Sequence, residues 1–147
     1  MRPIVITRQL DFRRPLAGPD AVTRAIADLL RRNGSQATVH VSAGVVEFSG
    51  PSFWYFGFSM RRKAAPMVRT GVVTLDPANP HRILLELRFG VVSYLWPVLV
   101  ACAMVAIDGS AGDRVTMLAL IAGVWWFNHR LARWAYESWV REAASRA

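Results

Sequence analysis

Residues 90–107 read GVVSYLWPVLVACAMVAI, and the nature of this run decides what kind of protein the rest of the chain can be. It holds no ionisable side chain except Tyr94 and Cys102. As a helix its 18 positions reach roughly 27 Å, near the thickness of a hydrocarbon core. Pro97 falls in the first turns, where its cost is smaller than at mid-helix. Tyr94 and Trp96 stand near one end, as interfacial anchors do. The run is therefore expected to cross a membrane.

On its C-terminal side comes a polar turn, Asp108-Gly109-Ser110-Ala111-Gly112-Asp113, in which Asp108 or Asp113 is expected to cap the next helix. The apolar run resumes from Val115 to Phe127, alone too short to span. Arg114 can snorkel outward at one end. At the other, helical spacing continues through Leu131, Trp134, Ala135, Trp139 and Val140, with Arg130, Arg133 and Arg141 interleaved. A helix from about residue 114 to 140 is expected to cross the bilayer, with Trp125, Trp126 and Trp134 marking its boundary. His129, Arg130 and Arg133 then fall at the inner interface. The alternative is a re-entrant or buried helix over 115–127. Of the 18 basic residues, 13 lie in 1–89 and 5 in 114–147, and the turn has none. By the positive-inside rule this asymmetry puts both termini in the cytoplasm, in a two-span protein of a bacterial inner membrane.

On the N-terminal side, charged and turn residues punctuate the first ninety positions. Met1 to Leu10 lacks the apolar core of a signal peptide and reads in part as a first strand. After Pro15, Gly18 and Pro19, Asp20 is a good N-cap for a helix over Ala21 to Asn33, with Val22, Ile26, Leu29 and Leu30 on one face. Gly34 is its natural stop. Thr38 to Phe48 reads as one hairpin, and Gly71–Leu75 with Arg82–Phe89 as a second. In the last strand Ile83, Leu85, Leu87 and Phe89 share one face, and Arg82, Glu86 and Arg88 the other. The expected fold is an α+β domain over 1–89, an antiparallel sheet with one covering helix. A transmembrane helical hairpin over 90–140 and a tail over 141–147 follow.

Composition narrows function. The formal net charge is +8, and Lys63 is the only lysine. Such a balance suits nucleic acid or the cytoplasmic flank of a membrane segment, and the apolar runs favour the membrane. Phe53-Trp54-Tyr55-Phe56-Gly57-Phe58, followed by Arg61, Arg62 and Lys63, offers rings for a headgroup layer and cations for anionic lipid. The same residues suit partner docking or a domain core. Nucleic-acid stacking is weaker, because no single-strand-binding motif accompanies them.

No Cys/His spacing supports a metal centre, and His40, His81 and His129 are scattered. Lone Cys102 cannot form an internal disulfide. No phosphate loop or nucleophile elbow is present, so no catalytic residue and no cofactor are expected. The leading expectation is a non-enzymatic accessory or scaffold subunit of a membrane complex. Its partners would be lipids, other subunits or a second copy, and not nucleic acid. Gly123 and alanines 101, 103, 106, 119 and 122 permit close helix packing. The alternatives are a lipid-sensing module at the membrane surface and an oligomeric channel component.

Overall fold

A computed structural model describes residues 4–40, 44–50, 68–90, 98–99, 102 and 110–147. Among the described residues five strands form one antiparallel sheet: β1 (Ile4–Asp11), β2 (Gln36–His40), β3 (Val45–Ser49), β4 (Val68–Leu75) and β5 (Arg82–Phe89). Helices α1 (Pro19–Arg32) and α2 (Ala111–Arg146) accompany them. The spatial order is β1-β5-β4-β3-β2, so the first strand pairs with the last.

The alternation in β5 sets the inner face. Ile83, Leu85, Leu87 and Phe89 are buried, and the register places Leu10, Arg8, Ile6 and Ile4 opposite them on β1. Val73 and Val46 continue the apolar layer across β4 and β3. Beside them Gly71 faces Phe48, whose ring lies where a Cβ would stand. A side chain there would displace the ring, so the sheet needs glycine at this step.

Helix α1 buries Val22, Ile26, Ala27 and Leu30 against the inner face. It starts at Pro19 rather than Ala21, with Gly18 as N-cap and no side-chain cap. Proline suits this position because its fixed φ is helical and its missing N–H is needed by no acceptor there. At the other end Gly34 takes φ 95°, a value that glycine adopts without penalty. Helix α2 is capped by Ser110 rather than by an aspartate. The Ser110 hydroxyl accepts from the Asp113 backbone N–H at 3.2 Å and donates to the Asp113 carboxylate at 2.7 Å.

Two features of the expected fold are overturned. No helix among the described residues is long and apolar enough to cross a membrane. The transmembrane hairpin therefore fails, and with it the two-span inner-membrane placement. Of the first run, only Gly90, Val98, Leu99 and Cys102 lie within the described residues. The apolar stretch of α2 is closed by Arg114 on one side and by Asn128, His129 and Arg130 on the other. Nor does one helix cover the sheet. The C-terminal part of α2, expected at a lipid interface, instead completes the core through Ala132, Tyr136, Trp139, Val140, Ala143 and Ala144. Burying each large side chain of this set contributes about 1.5–3 kcal/mol.

Candidate functional site

Helix α2 has two apolar seams. Trp125, His129, Ala132, Tyr136, Trp139 and Ala143 follow one another at alternating steps of four and three, which keeps them on one side of a helix. This side faces the body. Tyr136 stacks on Phe48 with ring centroids 5.2 Å apart and meets Trp139 edge-on at 5.0 Å. Its hydroxyl shares a 3.3 Å hydrogen bond with Ser35. Burial holds the Tyr136 phenol above its ordinary pKa of 10.0, and the Ser35 contact pulls it part of the way back. His129 lies between Trp125 and Phe89, with ring centroids at 4.3 and 4.7 Å, and its Nδ1 is 2.9 Å from the Trp125 carbonyl oxygen.

Met117, Leu120, Phe127, Leu131 and Trp134 form the second seam at steps of three, seven, four and three. By the 3.6-residue turn they lie on the side of α2 away from the body. All are exposed: Leu120 58%, Phe127 59%, Leu131 47% and Trp134 65%, with Met117 the least at 38%. Farther round the helix Val115, Leu118 and Trp126 are exposed too. From Val115 to Leu131, α2 is thus an arm with apolar side chains on most of its circumference, continuous with a half-helix locked into the core.

The charge on this arm has one sign. Residues 114–136 contain three arginines, one histidine and no carboxylate. Arg130 is exposed, with its guanidinium 5.2 Å from the centre of the Trp126 ring. Arg133 is half-buried, 3.5 Å from Glu137, which also lies 3.6 Å from Arg8. One carboxylate therefore sits between two arginines at the base of the arm. Beyond Trp134 the outer side closes against the body. There Arg141 donates to the Asp11 carbonyl and lies over the Phe12 ring.

The expected contact residues fall into three groups. Phe53, Trp54, Tyr55, Phe56, Phe58, Arg61, Arg62, Lys63 and Trp96 lie outside the described residues. Trp126, Arg130 and Trp134 are exposed on α2. Trp125, His129 and Arg133 are only partly exposed and turn toward Phe89 and Glu137. Sequence alone does not mark Leu120 and Phe127 as contact residues, because it places them in a membrane interior, and it gives Leu131 only a place in the helical pattern that follows. Their three-and-four spacing was the signal available.

An open cleft of about 730 Å³ lies between the N-terminus of α1 and the β4–β5 turn, lined by Leu16, Pro19, Leu75, Asp76, Pro80 and Arg82. Several of its polar groups are engaged: Arg82 pairs with Asp11 and Asp76, Asp76 accepts from the Ala78 N–H, and Asn79 accepts from the His81 N–H. Among the described residues no three His, Cys, Asp or Glu side chains gather in a metal-binding group. Comparison with protein-family models, with curated proteins and with solved structures finds no match.

Proposed function

We propose that the chain is a non-enzymatic accessory subunit that docks onto a protein partner through the exposed part of α2. The observation that supports this reading is the apolar arm over 115–131. A helix that is apolar around most of its circumference is stable in water only when other surfaces cover it. Here the same helix is anchored at its C-terminal end by Tyr136, Val140 and Ala143. The body thus holds the arm at a defined angle, and less conformational freedom is lost on binding than with a tethered peptide. Trp126, Trp134 and Arg130 are residue types that dominate binding energy at protein interfaces.

The test is the native mass of the full chain purified from its own host, beside a variant carrying Leu120→Glu and Phe127→Glu. The wild type should run as a discrete hetero-complex with a fixed partner, and the variant as the free chain at unchanged thermal stability. Single-chain mass for both proteins, or co-flotation of the wild type with lipid vesicles and with no protein, would contradict the reading.

A further inference from the structure

We propose that the partner of the outer seam is an α-helix with its own apolar heptad stripe flanked by carboxylates. The inference rests on the docking reading above and deepens it. Two observations on α2 carry it. The first is spacing: Met117, Leu120, Phe127, Leu131 and Trp134 keep to the three-and-four steps that mesh with a second helix as knobs in holes. The inner seam of the same helix, from Trp125 to Ala143, already packs against the body by this spacing.

The second observation is charge. With Met117 and Leu131 at a positions, and Leu120, Phe127 and Trp134 at d, Arg130 falls at g. That position faces the flank of a partner helix and selects it by sign. The exposed Arg130 presents its guanidinium beside Trp126. No carboxylate lies anywhere from 114 to 136, and Glu137 at the next g position is taken up by Arg8 and Arg133. A second copy of this chain would bring the same carboxylate-free flank, within a molecule of net charge +8. A helix with Glu or Asp at its e and g positions answers Arg130 and the carboxylate-free flank instead.

The experiment titrates the full chain with two synthetic helical peptides, each four heptads long with Leu at a and d. One carries Glu at e and g, the other Lys. The acidic peptide should bind at least about tenfold more tightly than the basic one, with the difference shrinking as salt is raised. Leu120→Glu with Leu131→Glu should weaken that binding by about thirtyfold or more. Ala119→Glu with Ala122→Glu, exposed but off the stripe, should leave it within about threefold. Arg130→Glu should narrow or invert the preference between the peptides. Circular dichroism and melting curves must first show every variant folded.

Equal affinity for both peptides, binding to neither, or equal loss from on-stripe and off-stripe variants overturns the inference. So does a homodimer by sedimentation that the on-stripe variant dissociates, or adsorption to phosphatidylglycerol vesicles that excludes the peptide. If a native complex depends on Leu120 and Phe127 while neither peptide binds, this inference fails and the docking reading stands. If no native complex depends on them, the docking reading itself fails.

Discussion

Tyr136 joins the two halves of the molecule. Its ring lies on Phe48 of the sheet, its edge against Trp139 of α2, and its hydroxyl against Ser35 after α1. Tyr136→Phe keeps the ring and removes one buried hydrogen bond, leaving the Ser35 hydroxyl without it. It should lower stability by about 1–3 kcal/mol, read by urea titration. A pH effect follows from the raised phenol. Its folded pKa lies above 10.0, so the neutral form is favoured in the fold. That contribution is complete below the unfolded value and is lost as pH rises through 10 toward the folded value. The wild type should therefore lose melting temperature between pH 9 and pH 11 more steeply than Tyr136→Phe; equal slopes would refute this. Gly71 offers a second test. A methyl group there meets the Phe48 ring, itself trapped against Tyr136, so Gly71→Ala should cost about 1–3 kcal/mol or more.

Among the elements, the strands were the most legible in the sequence. In β5 the alternation of Ile83, Leu85, Leu87 and Phe89 names the inner face correctly, and the prolines at 77 and 80 place the turn before it. The pairing of β1 with β5 was not legible, because alternation says which face is buried and not which neighbour is paired. Nor was the division of α2. Helical apolarity over 115–140 has the same pattern whether lipid, a partner or the chain's own sheet covers it, and tertiary contact decides. The half from His129 onward finds the sheet and α1. Amide exchange should follow this division, with residues 132–144 exchanging far more slowly than 114–124, since protection tracks buried contacts. Uniform protection along α2 would contradict it. Gly123→Ala, with open space around the added methyl and no positive φ to satisfy, should raise helix stability by about 0.5–1 kcal/mol.

At the scale of the whole molecule, the body depends on a helix that also carries the docking arm. Truncation after Leu131 removes Tyr136, Trp139, Val140 and Ala143, leaving one side of the sheet core open to water. Such a chain should lose its cooperative thermal transition. Substitutions confined to the outer seam should leave the transition unchanged. The candidate site was legible only in part. Trp126, Arg130 and Trp134 stood out by residue type, whereas Leu120, Phe127 and Leu131 stood out only once the body's position showed which side of α2 remains uncovered. Site-specific photo-crosslinking in the native host, with the probe placed in turn at Leu120, Leu131 and the exposed sheet residue Gln9, shows whether a protein covers the outer side of α2. One discrete protein adduct is expected at Leu120 and Leu131 and none at Gln9. Adducts to lipid alone, or the same pattern at all three positions, would contradict it.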